Sequence, residues 1–189
     1  MTQDFVQGGV RMRILITYGS KLGGTREIAE LLARVLRDEG LAAEVLPPEA
    51  VEHVRAYDAV IVGGGLYANH WHRKARRFVH RHFHELRERP VWFFSSGPLD
   101  DSAAHERIPP IAQVQALMER VGARGHATFG GRLEPDARGF IARSMAREHA
   151  GDWRDPEQVA RWARSVAAEL METAPPRVAV ESTRQESPR

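Results

Sequence analysis

The residues of this sequence that could carry chemistry fall into four groups, each at the end of an apolar run. Ser20, Gly23 and Thr25 are spaced Ser-x-x-Gly-x-Thr just after Arg13-Ile14-Leu15-Ile16-Thr17. Gly63-Gly64-Gly65 follows Asp58-Ala59-Val60-Ile61-Val62 and leads through Leu66 and Tyr67 to His70, Trp71 and His72. Ser95-Ser96-Gly97-Pro98 closes Val91-Trp92-Phe93-Phe94, and Gly130-Gly131 closes His126-Ala127-Thr128-Phe129. Two hydroxyls beside the backbone amides of a helix start attract an anion, because unpaired N–H groups and the helix dipole both favour negative charge. Gly23 lets the backbone wrap closely around such a group, and Lys21 could approach it or point to solvent. A terminal phosphate meets these requirements. An ordinary capped strand-to-helix turn would use the same residues without any ligand.

Other chemistries fit less well. The stretch Gly19 to Arg26 has neither the lysine nor the following hydroxyl of a nucleotide P-loop, and its glycines miss the dinucleotide fingerprint. The 189 residues include no cysteine, which excludes disulfides, thiolate metal sites, iron–sulfur ligation and thiol nucleophiles. His80 and His84 stand one helical turn apart, but no carboxylate pattern completes a metal site with them. They also lie away from the Phe78/Val79/Phe83 stripe, as a solvated basic face would. His70 and His72 are closer to the proposed site, where either could relay a proton.

The elements that must position these groups are legible from periodicity. The runs 13–17, 42–46, 58–62, 91–94 and 126–129 read as strands, several of them continuously apolar as in a doubly covered parallel sheet. Ile28, Leu31, Leu32, Val35 and Leu36 recur at helical spacing before Gly40, and a short helical piece is expected through Val51 and Val54. One basic amphipathic helix is expected from Trp71 to Glu88. A second carries Ile111, Val114, Leu117, Met118 and Val121, and a short one spans Phe140 to Ala146. The last begins at Asp155-Pro156 and shows Val159, Trp162, Val166 and Leu170. Strands alternating with crossover helices imply an α/β, three-layer doubly wound domain, with its ligand beyond the carboxyl ends of the strands.

Length and 42% apolar content suit one domain, taken as 12–172, with disordered tails at 1–11 and 173–189. A formal charge of +2 gives no reason to expect nucleic-acid binding. No stretch reaches the roughly 20 apolar residues of a membrane span, and the N-terminus lacks a signal-peptide pattern, so a cytoplasmic location is expected.

Ser20-x-x-Gly23-x-Thr25 after a first strand resembles the phosphate loop of the flavodoxin superfamily. GGTREIAELLARVL, YDAVIVGGGLYANHWHRKARRFV and VWFFSS resemble more closely the flavodoxin-type, menaquinone-dependent protoporphyrinogen oxidases and their flavodoxin-domain relatives, over about 12–171. The resemblance implies a flavodoxin-like fold with a five-stranded parallel sheet of order 2-1-3-4-5, and FMN bound without a metal. It implies that Ser20, Lys21, Leu22, Gly23, Gly24 and Thr25 hold the ribityl phosphate. Gly65, Leu66 and Tyr67 would lie beside the isoalloxazine, with Ser95, Ser96, Gly97 and Pro98 as the opposite wall. Tyr67 and Trp71 are the aromatic candidates for ring contact; Trp71 could equally be a packing anchor at its helix start.

The sequence departs from that family after the last core strand. The segment from Leu133 to Trp153 is short and lacks the aromatic and strongly apolar character that would hold a tetrapyrrole or lie in a membrane interface. Two function classes follow. One is an FMN-dependent oxidoreductase moving electrons from a reduced organic substrate, a porphyrinogen among the candidates, to a quinone or other acceptor, with peripheral contact at the inner membrane face. The other is an electron carrier that docks to a redox partner protein. A third, a regulatory module that has lost flavin, is opposed by the two hydroxyls. The arginine- and histidine-rich stretch Arg73 to Arg87 favours an acidic or anionic partner.

Overall fold

The structure is a computed structural model that describes residues 11–100, 102–133 and 151–173. Five parallel strands, β1 (Arg13–Gly19), β2 (Ala42–Leu46), β3 (Ala59–Tyr67), β5 (Val91–Ser96) and β6 (Gly125–Phe129), lie in the order β2-β1-β3-β5-β6. This is the expected 2-1-3-4-5 arrangement once the two-residue strand β4 (His70–Trp71) is set aside, since β4 only turns back antiparallel on the end of β3. A separate two-stranded ribbon joins β7 (Arg132–Leu133) to β8 (Gly151–Asp152).

Period-2 alternation divides each central strand between two layers. Ile14, Ile16, Ile61, Trp92, Phe94 and Phe129 face α1 (Gly24–Asp38) and α6 (Pro156–Thr173). Leu15, Val60, Val62 and Phe93 face α2 (Arg73–Arg81), α3 (Phe83–Arg87) and α5 (Ala112–Val121). A short α4 (Ser102–His105) precedes α5. With helices on both faces, all six residues of β5 are buried, which is why that strand reads as one apolar run ending in serines. The Asp155 carboxylate accepts the Glu157 N–H at 2.9 Å, capping α6 as expected.

Several expected elements change when packed. The piece at Val51 and Val54 is turn rather than helix. Both side chains are buried, and the Glu85 carboxylate accepts the Val54 and Arg55 N–H groups at 2.9 and 3.0 Å. The single helix expected from Trp71 to Glu88 is divided into three pieces by two breaks. Trp71 belongs to β4, and α2 and α3 are separated at His82, whose buried ring meets Glu85 at 3.0 Å. β3 runs on to Tyr67 because its glycines admit neighbouring rings: a Cβ on Gly63 would enter the Phe94 ring and one on Gly64 the Trp71 indole. The expected helix at 140–146 and both expected tails lie almost wholly outside the described residues.

Candidate functional site

The carboxyl ends of β1, β3 and β5 are in register, Gly19 opposite Gly64 and Gly65 opposite Ser96, so their following loops share one rim. Between β1 and α1, Gly23 takes a left-handed conformation (φ 90°), and the Ser20 hydroxyl accepts the Gly23 N–H at 3.0 Å. The first intrahelical bond runs from the Glu27 N–H to the Gly23 carbonyl, leaving the Gly24, Thr25 and Arg26 amides ahead of it at the positive end of the dipole. The Thr25 and Ser96 hydroxyls are buried and hydrogen-bonded at 2.8 Å, joining the helix start to the end of β5. Gly65 lies beside them. A Cβ there would stand 2.8 Å from a Tyr67 ring carbon and 3.1 Å from both the Thr25 Oγ1 and the Tyr67 hydroxyl, so only glycine fits beneath the tyrosine.

A cavity of about 280 Å³ opens here, at the lower end of the range for small-molecule sites. Eight of the residues expected from sequence line it: Lys21, Leu22, Gly24, Thr25, Leu66, Tyr67, Ser96 and Gly97. Five do not. Ser20 and Gly23 shape the loop from behind, and Gly65 is buried under Tyr67. The carbonyl of Pro98 accepts the Gly131 N–H at 2.7 Å, so that residue braces the wall rather than forming it. Ser95 is on the wrong face, a correction that follows from strand alternation. It points to the α5 side and pairs with His126 Nε2 at 3.0 Å, leaving Ser96 as the serine of the site. Trp71 is also excluded from the cavity: it is buried and stacked on Phe93 with centroids 5.2 Å apart.

Ala68, Leu99, Gly131, Arg132 and Leu133 complete the lining. The glycine pair at 130–131 marked its rim in the sequence, but Leu99, Arg132 and Leu133 had no periodic signal. Arg132 and Arg154 both bind the Glu27 carboxylate, at 2.8 and 2.7 Å, and Arg154 also binds Asp152 at 2.5 Å. The Arg154 hydrogen bond holds the Glu27 carboxyl below its ordinary range, so the first turn of α1 is tied to the β7–β8 ribbon by charge.

The two histidines of the rim differ. His70 Nδ1 contacts the Ala68 carbonyl at 2.8 Å and is exposed. His72 is half-buried, caps α2 by accepting the Lys74 N–H at Nδ1 (3.3 Å), and meets the Tyr67 ring edge-on at 5.9 Å. Burial, then the Lys74 charge, push His72 below its ordinary value of 6.5, so it is neutral at pH 7 with its proton on Nε2. His80 and His84 are exposed, and among the described residues no group of three or more His, Asp or Glu is placed to hold a metal ion.

The lining therefore combines backbone amides and hydroxyls with four leucines and the cations Lys21 and Arg132, and has no carboxylate among the described residues. Such a donor set suits a planar, largely apolar group with an anionic tail, held where a doubly wound sheet reverses its strand order. A family model described as flavodoxin domain matches residues 15–152, and the chain belongs to that family. The chain is 34% identical over 86 residues to the quinone-dependent protoporphyrinogen IX dehydrogenase of Escherichia coli, a match covering 44% of this chain and 48% of that protein. It thus spans about half the length of the curated relatives it matches. Among solved structures, a flavodoxin from Pseudomonas aeruginosa superposes with a TM-score of 0.58 at 19% identity, over 85% of this chain and 99% of that one. The rubredoxin oxygen:oxidoreductase of Desulfovibrio gigas superposes at 0.57 with 17% identity, over 85% of this chain and 36% of that one. Family membership supports flavin binding and a flavodoxin-type redox function. No helix of the described residues is long and apolar enough to cross a membrane.

Proposed function

We propose that this chain binds FMN and acts as a flavodoxin-type oxidoreductase that passes electrons from a reduced organic substrate to a quinone. The observation that carries the reading is the buried Thr25–Ser96 hydroxyl pair at 2.8 Å, set against amides of the α1 start that have no partner among the described residues, and opening on an apolar cavity. When bound, a flavin supplies one- and two-electron transfer. The residues of the chain supply the rest. Thr25 and the amides of Lys21, Leu22, Gly24 and Thr25 would hold the anionic tail, while the Gly23 N–H is taken by the Ser20 hydroxyl and the hydroxyl of Ser96 orients Thr25. Leu66, Leu99 and Leu133 give the ring an apolar surface that excludes water. His72, which lies against Tyr67 outside the cavity lining, would hold or pass a proton through its Nε2. The electron donor we propose is a porphyrinogen, by analogy with a relative of which this chain covers 48%.

The exposed side chains of Arg73 and Arg77, which pair with no carboxylate among the described residues, favour a second reading: an electron carrier that docks to an acidic partner. Visible absorption of the purified protein tests the common part. Yellow colour released as FMN on denaturation is the expected result, and a colourless protein that cannot be reconstituted refutes it. Anaerobic reduction of the loaded protein by a porphyrinogen, and its reoxidation by a quinone, then separates enzyme from carrier.

A further inference from the structure

The Tyr67 hydroxyl stands inside the anion loop. The Lys21 N–H donates to it at 3.1 Å, and a Cβ built on Gly65 would lie 3.1 Å from it and from the Thr25 hydroxyl alike. Burial raises the phenol's proton affinity and keeps it protonated, with the neighbouring Lys21 and Leu22 amides opposing the rise. A phenol oxygen accepting from the Lys21 amide is in the position an anionic oxygen would take.

Three features hold the ring there. Tyr67 pairs with His70 across the β3–β4 turn, whose two central residues Ala68 and Asn69 both have positive φ, 47° and 59°. That is the tight two-residue hairpin in which a left-handed alanine is adopted at a cost. His72 abuts the ring edge-on from outside. Gly65 lets the ring fold back over its own strand, for a Cβ there would lie 2.8 Å from a Tyr67 ring carbon.

We propose that the Tyr67 hydroxyl is a built-in competitor for the anion loop: it satisfies the Lys21 amide until a phosphate displaces it, and so limits the preference of the site for phosphate-bearing over phosphate-free flavins. This inference rests on the FMN reading above. One N–H makes one strong hydrogen bond, so the tail of a cofactor gains the Lys21 amide only by taking it from Tyr67.

The test compares wild type with Tyr67→Phe, after removing any bound flavin and checking by urea denaturation that both are folded. FMN and riboflavin are titrated by flavin fluorescence, and inorganic phosphate by the ¹⁵N–¹H shifts of the Lys21 and Leu22 amides. Tyr67→Phe should bind FMN about two- to tenfold more tightly, bind phosphate more tightly by a similar factor, and leave riboflavin unchanged. Weaker FMN and phosphate binding by the variant would mean that the hydroxyl donates to the anion instead of competing with it, and unchanged binding that it does neither; either overturns the proposal while leaving the flavin site intact. Tighter phosphate binding by the variant, with no FMN binding by either protein, would uphold the competition and refute the FMN reading.

Discussion

Replacing Thr25 by alanine separates a phosphate-binding hydroxyl from one that only packs. Thr25 is 2% exposed and Ser96 6% exposed, and their hydroxyls share one hydrogen bond of 2.8 Å. A hydroxyl both accepts and donates, so Thr25 can accept from Ser96 and still give its own proton to an anion. In the flavin-free protein, Thr25→Ala removes that bond and leaves the Ser96 hydroxyl buried without its partner, at about 1–3 kcal/mol of folding stability. In the complex it also removes a bond to a charged oxygen, about 1.5–3 kcal/mol, which weakens FMN binding by about ten- to 150-fold. Riboflavin, which has no phosphate, should bind the variant as it binds wild type. Adding Ser96→Ala should restore part of the lost stability, because no hydroxyl is then left stranded, with a coupling of about 1 kcal/mol. Urea denaturation and titrations with both flavins measure these quantities. Equal loss of FMN and riboflavin affinity, or no loss of either, would refute the placement of the phosphate.

Two further outcomes follow from the packing and the charges. Gly63→Ala drives a methyl into the Phe94 ring on the buried face of β3, so the urea midpoint should fall by an amount equivalent to about 1–3 kcal/mol; an unchanged midpoint would mean that the ring moves aside freely. Burial, with the Arg107 charge adding to it, pulls His126 from its ordinary 6.5 down to about 4. The unfolded chain therefore binds the extra proton first. Stability is greatest above pH 6.5 and falls as pH drops from 6.5 through 4, by up to about 3 kcal/mol, and His126→Gln should flatten that decline in urea titrations run across this range.

Local spacing carried most of the architecture. The apolar runs at 13–17, 58–62 and 91–94 announce doubly covered strands because each residue of such a strand meets a helix on one face or the other. The stripe of α1 and the Asp155-Pro156 start of α6 are likewise written within a few neighbouring residues. The Ser20-x-x-Gly23-x-Thr25 loop was legible for the same reason, since a left-handed glycine and a helix start need only their own residues.

Side-chain facing and partnership were settled only by tertiary structure. Ser95 and Ser96 are equivalent in the sequence, yet the register of β5 sends one to His126 and the other to Thr25, 71 residues away. Trp71 belongs to the core because Gly64 leaves room for an indole, a fact of packing between two segments rather than of helical period. Arg132 reaches the cavity rim and Glu27 across 105 residues, with no periodic trace in either segment. Spacing along a chain records which backbone shape each segment prefers; which atoms then meet depends on closing long loops around a shared core, and that information is spread over the whole sequence.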